Sequence, residues 1–174
     1  MHIERLVLKP LENNCYIISQ NGIAIIVDPS SEENKIEKYL KDNNLSLEAI
    51  FVTHYHFDHI GALPYFIDKY NVKVYDYKTI GKIKLGPFKI EVIPTKGHTS
   101  DSVSFYFKDS DDLFVGDFVF MGSIGRTDFE SSDEEEMYYS LRKLRTFPPQ
   151  TKLYPGHGEV TTLERELLYN PYLW

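Results

Sequence analysis

A single cysteine, Cys15, among 174 residues excludes any disulfide within the chain and suits a reducing compartment. Long apolar runs are missing as well. The longest, Ile23 to Val27, falls far short of the roughly 20 residues a membrane helix needs. The N-terminal stretch Met-His-Ile-Glu-Arg-Leu-Val-Leu-Lys-Pro reads as a strand and lacks the apolar segment of a secretion signal. A cytoplasmic protein without a membrane partner is therefore expected. Basic charge is scarce: 19 Lys and Arg stand against 26 Asp and Glu, a formal net charge of -7. Such a surface repels phosphate backbones, so nucleic acid is not an expected partner. Repeats, linkers and low-complexity stretches are also lacking. With 42% hydrophobic and 26% charged residues, the chain has the composition of one globular domain spanning residues 1–174.

The order of elements follows from periodicity. Ile3 to Leu8, Cys15 to Ser19 and Ile23 to Val27 read as strands, the last two joined by an Asn21-Gly22 turn. Ser31 to Leu40 changes to helical spacing, with Ser30 or Ser31 as its N-cap. Ala49 to Thr53 is a short buried strand, Gly61 to Tyr70 a helix and Val72 to Tyr75 a strand. Lys82 to Leu85, Phe88 to Ile93, Ser102 to Phe107 and Leu113 to Val115 are β-rich. Asp133 to Arg145 is a helix whose acidic start and basic end match its dipole. Lys152 to Tyr154 and Thr162 to Tyr169 close the chain as strand and helix. Strands with helices interspersed, twice over, imply sheets covered by helices, an α/β or α+β layered domain.

Five of the six histidines lie in three segments: Thr53-His54-Tyr55-His56-Phe57-Asp58-His59-Ile60-Gly61, Gly97-His98-Thr99 and Pro155-Gly156-His157-Gly158. The sixth, His2, is expected at the surface. His54 and His56 follow an apolar strand, and residues two apart on an extended chain point the same way. Both imidazoles can thus reach one metal ion. Asp58 and His59 sit where the chain turns toward a helix and can face a second ion. Three histidines and an aspartate in six residues are costly to bury unless something compensates them. His98 and His157 adjoin glycines that let the backbone approach a site closely. Asp117 follows Leu113-Phe114-Val115-Gly116, where its carboxylate could bridge two cations. Imidazole and carboxylate donors suit zinc, and also iron or manganese.

The segments THYHFDHIG, GHT at Gly97 to Thr99, GD at Gly116-Asp117 and GH at Gly156-His157 resemble the metallo-β-lactamase superfamily over nearly the whole chain. FVGDFVFMGSIGRTDF (Phe114 to Phe129), PGHG and the end from Thr161-Thr162 to Asn170-Pro171-Tyr172 resemble its short bacterial glyoxalase II-like branch. The resemblance implies a four-layer αββα sandwich with two divalent metal ions at its edge. It implies His54, His56 and His98 on one ion, Asp58, His59 and His157 on the other, and Asp117 between them. Three departures touch the substrate cleft: Lys96 stands where the family has proline, Ser100-Asp101-Ser102 stands where a glycine is common, and the stretch from Val74 to Gly81 is short. The chain also ends where full glyoxalase II continues into a helical domain that holds glutathione.

What the resemblance implies chemically is a water shared by two metals, attack on a carbonyl carbon and hydrogen bonding of Asp58 to the nucleophile. No spare histidine stands near the motifs to protonate a leaving group. This favours a thioester, because a thiol with pKa near 8.5 departs as thiolate. A small-molecule thioester or ester such as S-lactoylglutathione is the expected substrate. Arg126, paired with Asp128, and Lys96 are candidate substrate-binding cations. Cys15 reads as an inert core thiol. The rivals of the same fold are a lactonase and a persulfide dioxygenase using one iron on His54, His98 and Asp117. A non-catalytic metal-binding scaffold is the alternative of another class.

Overall fold

The computed structural model describes residues 1–173; Trp174 lies outside them. Strands β1 (His2–Leu8), β2 (Asn13–Gln20) and β3 (Ile23–Val27) form an antiparallel meander. Asn21 and Gly22 both take positive φ, 54° and 78°, as a tight hairpin turn between right-twisted strands demands. Helix α1 (Glu33–Asp42) then crosses to β4 (Ser46–Phe51), which pairs parallel to β3. Helices α2 (Phe57–Ile60) and α3 (Leu63–Tyr70) cross to β5 (Lys73–Tyr75), parallel to β4. The first sheet thus runs β1-β2-β3-β4-β5.

The second sheet begins with β6 (Gly81–Leu85), β7 (Phe88–Pro94), β8 (Val103–Phe107) and β9 (Asp112–Gly116), again an antiparallel meander. A small hairpin, β10 (Val119–Phe120) with β11 (Ser123–Ile124), stands apart. Helix α4 (Glu134–Leu144) returns the chain to β12 (Lys152–Pro155), parallel to β9. The last elements are β13 (Thr161–Thr162) and α5 (Leu163–Tyr169).

Alternation of side chains divides the apolar residues into three layers. Between the sheets lie Tyr16, Ile18, Ile25, Val27 and Phe51 from the first, and Ile90, Val92, Phe105, Phe107 and Phe114 from the second. The opposite face of the first sheet, with Cys15, Ile17, Ile26 and Ile50, packs on Ile36 and Leu40 of α1 and on Leu63 and Phe66 of α3. The outer face of the second, with Tyr106, Leu113 and Leu153, packs on Met137, Leu141 and Leu144 of α4 and Leu163 of α5. This is the αββα sandwich. Each fully buried side chain of this size contributes about 1.5–3 kcal/mol of burial free energy. Cys15 is a buried thiol whose pKa burial raises.

Three local expectations are corrected. The cap of α1 is neither Ser30 nor Ser31 but Glu32, in a left-handed conformation and without a side-chain cap bond. The groups that might have capped serve the β1–β2 loop instead: Ser31 Oγ donates to the Lys9 carbonyl (2.7 Å), and the Glu32 carboxylate accepts from Lys9 N (2.7 Å). The helix expected from Gly61 starts earlier and breaks in two, with a proline in the first turn of α3, where a missing N–H costs least. The β10–β11 hairpin and β13 were not anticipated. Strands of two residues carry no periodicity to read.

Helices α1 and α3 are tied together beneath the site by Glu37, a buried carboxylate. Lys69 Nζ (2.5 Å), Tyr70 Oη (2.7 Å) and Lys41 Nζ (3.2 Å) converge on it. The hydrogen bond from Lys69 and then those from Tyr70 and Lys41 outweigh the burial that opposes them, and hold its pKa at about 2 instead of the usual 4.5. A depressed carboxylate stabilises above its unfolded pKa, and the contribution is lost as pH falls through the folded value. Glu37→Gln should therefore lower the urea midpoint at pH 7, and the gap to wild type should close between pH 4.5 and pH 2. A gap independent of pH would show that packing, not charge, is what Glu37 supplies.

Candidate metal centre

Every segment singled out in the sequence ends a strand at the same edge of the sandwich. His54 to His59 follow β4, His98 follows β7, Asp117 follows β9 and His157 follows β12. Within the second sheet β7, β9 and β12 all run in the same sense, as their register implies. The carboxyl ends of such strands are where loops converge.

The donor atoms of His54, His56 and His98 lie within 4.8 Å of one another, as do those of Asp58, His59 and His157 and of His54, His59 and Asp117. Asp117 stands between the groups. Its Oδ1 is 3.4 Å from His59 Nε2, and its Oδ2 is 3.7 Å from His98 Nε2 and 3.8 Å from His157 Nε2.

The outer hydrogen bonds decide which ring nitrogens are free. His98 Nδ1 faces the Arg126 carbonyl oxygen at 2.8 Å; a carbonyl only accepts, so this nitrogen carries the proton and Nε2 a lone pair. Thr53 Oγ1 donates to Asp28 Oδ2 (2.6 Å), so it accepts from His54 Nδ1 (3.1 Å), and His54 Nε2 is likewise a lone pair. Both lone pairs point at His56 Nδ1, from 3.1 Å and 3.0 Å. His59 Nδ1 donates to Asp28 Oδ2 at 2.8 Å, leaving its Nε2 buried without a hydrogen-bond partner, like Oδ1 of Asp117. Lone pairs crowded together and orphaned buried acceptors are unfavourable alone. A divalent cation resolves both, so the residues fit a metal.

The electrostatics agree. Burial, followed by repulsion from neighbouring imidazoles, pulls the pKa of His54 well down and that of His56 down, which suits neutral ligands. Burial also opposes charge on His59, but the carboxylates of Asp28 and Asp117 outweigh it and raise its pKa. A cation held by His59 and Asp117 would take the place of that proton. The hydrogen bond from His157 Nε2 to Asp58 Oδ2 (3.1 Å) holds the Asp58 carboxyl at about 2 and raises the pKa of His157.

Asp28 is the residue that sequence reasoning missed. Placed directly after β3, it accepts from His59 Nδ1, Thr53 Oγ1 and Thr53 N (2.8 Å). An acid directly after the apolar run Ile23–Val27 was the available signal. Glycine has a spatial role at Gly156, where a Cβ would overlap Asp117 Oδ1 and the His59 ring. At Gly97, with φ of 137°, a Cβ would strike the backbone of Met137 in α4.

A cavity of about 470 Å³ opens over the ligands, walled by Phe57, Phe120, Ile124, Gly125, Arg126 and Phe129. The Phe129 ring lies edge-on to His56 and His98, with centroids at 5.1 and 5.6 Å. Arg126 holds Asp128 by two bonds of 2.8 Å and stacks 4.6 Å from the Phe129 ring centre. This pair is exposed at the cavity rim. Lys96 is exposed and does not line the cavity; its carbonyl accepts from Ser140 Oγ of α4 (2.8 Å). His2 lies elsewhere, against Tyr39 Oη (3.2 Å).

Comparison with known proteins places the chain among relatives of this fold. The model of the family described as the metallo-beta-lactamase superfamily matches residues 8–90 and 80–157. The chain is 33% identical to the probable metallo-hydrolase YqgX of Bacillus subtilis (strain 168), over 99% of this chain and 98% of that protein. It is 33% identical to a hydroxyacylglutathione hydrolase of Pelagibacter ubique (strain HTCC1062), over 84% of this chain and 66% of that protein. The crystal structure of BLEG-1 B3 metallo-beta-lactamase superposes with a TM-score of 0.93 at 29% identity, covering 99% of both chains.

Replacing Asp28 by Asn keeps the shape but removes the charge that orients His59. Changes at such outer partners weaken metal binding by about 10–100-fold. Competition with a chelator should show a loss of that size, with circular dichroism unchanged. Unaltered affinity would reduce Asp28 to a brace for the strand end.

Proposed function

The chain belongs to the metallo-beta-lactamase superfamily, and within it we propose a metal-dependent hydrolase of thioesters, of glyoxalase II type. His54, His56 and His98 would hold one divalent ion and Asp58, His59 and His157 a second, with Asp117 between them; zinc suits these donors best. When bound, such ions supply Lewis acidity that lowers the pKa of water toward neutrality and polarises a carbonyl.

The chain's own residues do the remaining work. Asp58, held ionised by its bond from His157, accepts a hydrogen bond from the attacking water and orients its oxygen toward the carbonyl carbon. Phe129, packed over His56 and His98, shields that side of the reacting centre from bulk water. Attack opens the carbonyl, the C–S bond breaks, and a carboxylic acid and a thiol result.

One observation carries the choice of thioester. Apart from the ligands, the polar side chains lining the cavity are Ser123 and Arg126, neither a proton donor at neutral pH. A thiolate leaves without one, its conjugate acid having a pKa near 8.5. An amine leaving group does need a proton. This argues against a β-lactam substrate despite the likeness to a B3 enzyme. The resemblance to a hydroxyacylglutathione hydrolase favours the same reading.

The test is hydrolysis of S-lactoylglutathione, with metal content measured on the same sample. Turnover should vanish on chelation and return with added metal. Asp58→Ala should lower kcat at least about 100-fold, the scale of a lost positioned base. A metal-loaded protein that opens nitrocefin but no thioester, or one iron per chain with oxygen uptake from a persulfide, would replace the proposal.

A further inference from the structure

The cavity over the ligands has little with which to recognise the charged ends of a peptide thiol. Its single cation, Arg126, is already bound in a two-pronged pair with Asp128. Apart from Ser123 and the ligands, its other walls are apolar, and one of them is unusual. Phe57, inside the HxHxDH segment, is 76% exposed. A phenyl ring left in water at the mouth of a reactive site forgoes about 1.5–3 kcal/mol of burial. Phe57 does not stand alone: with Phe120, Ile124 and Phe129 it forms the apolar surface of one cavity, and contiguous apolar surface of that kind marks binding sites.

Phe57 also faces a second cavity. About 220 Å³ in volume, it lies under the β1–β2 loop; Leu8, Pro10, Leu11 and Phe57 give it an apolar side, and Asn13, Ser30, Ser31 and Asp58 line the rest. Phe57 and Asp58 are thus the wall shared by the two spaces. Leu11, at the tip of the loop, is 48% exposed. The loop is held over this space by the bonds of Ser31 and Glu32 to the backbone of Lys9. The lone cation here, Lys9, is exposed to solvent at the rim. A continuous apolar path therefore leads from the metal ligands across Phe57 to Leu11.

We propose that the substrate is a neutral thioester with an apolar acyl chain, which runs from the metal centre across Phe57 into the cavity beneath the β1–β2 loop. This rests on the thioesterase reading and narrows it. The acyl carbonyl sits at the ligands, the chain lies along Phe57, and its end meets Leu8 and Leu11. Each methylene transferred from water to such a surface adds up to about 0.8 kcal/mol, a factor of about four. Partial burial makes two- to four-fold per methylene the expected gain.

The experiment uses the metal-loaded protein and acyl thioesters of one neutral thiol, N-acetylcysteamine, from acetyl to octanoyl, beside S-lactoylglutathione. kcat/KM should rise about two- to four-fold per methylene, and octanoyl should exceed S-lactoylglutathione. Leu11→Asp should cut the octanoyl-to-acetyl ratio at least ten-fold, a readout that general damage to the enzyme does not move. A flat series, or preference for S-lactoylglutathione, would overturn the inference while leaving the thioesterase intact. A steep series that Leu11→Asp does not change would overturn the proposed route. Cleavage of no member by the metal-loaded protein would remove both readings together.

Discussion

Five imidazoles and three carboxylates share one half-buried space, and every other feature of the molecule is arranged around keeping them there. Such a cluster is unstable unless each ring nitrogen has a defined role. The roles are set from outside. Asp28 and the Arg126 carbonyl take the Nδ1 protons of His59 and His98, and Thr53 takes that of His54. The inner nitrogens are then committed to lone pairs that face one another and Asp117. The cluster fits a cation because its outer bonds leave the inner atoms without hydrogen-bond partners of their own.

The sandwich makes that commitment rigid. Asp28 and His54 come from the ends of β3 and β4, paired parallel in the first sheet, while Asp117 and His157 come from β9 and β12, paired parallel in the second. The aromatic layer between the sheets, with Phe51 against Phe105 at 4.5 Å and Tyr16 against Phe114 at 5.3 Å, holds the two sets of strand ends at fixed separation. Cores packed at crystal density do not yield by fractions of an ångström without cost, so the ligand distances are inherited from apolar packing far from the metal. The same arrangement leaves the cleft lined with what the loops supply, and here these supply phenylalanines.

Much of this was legible beforehand. The HxHxDH segment could be placed after an apolar strand, and His54, His56, Asp58 and His59 fall there in the structure. His98, Asp117 and His157 were tied to the group through resemblance, and the fold draws all of them to one edge. Long strands and α4 were readable because their periods are sustained. The cap of α1, the two-part helix after His56 and the β10–β11 hairpin were not, because each is decided by partners distant in sequence, as Ser31 and Glu32 are by Lys9. Lys96, two residues before His98 in sequence, lies off the cavity, because Gly97 between them takes a φ of 137° and turns the chain out of the extended form.

The sequence by itself determined the chemistry of the inner site and the layered architecture, for donor types and alternation of apolar residues are local properties of the chain. Tertiary structure alone decided which nitrogen of each ring is free, that Asp28 is part of the centre, and that Phe57 separates two cavities. Those outcomes depend on contacts such as Asp28 with His59 and Arg126 with His98, 31 and 28 residues apart. No local pattern encodes a contact between segments until the sheets have packed and brought their ends together.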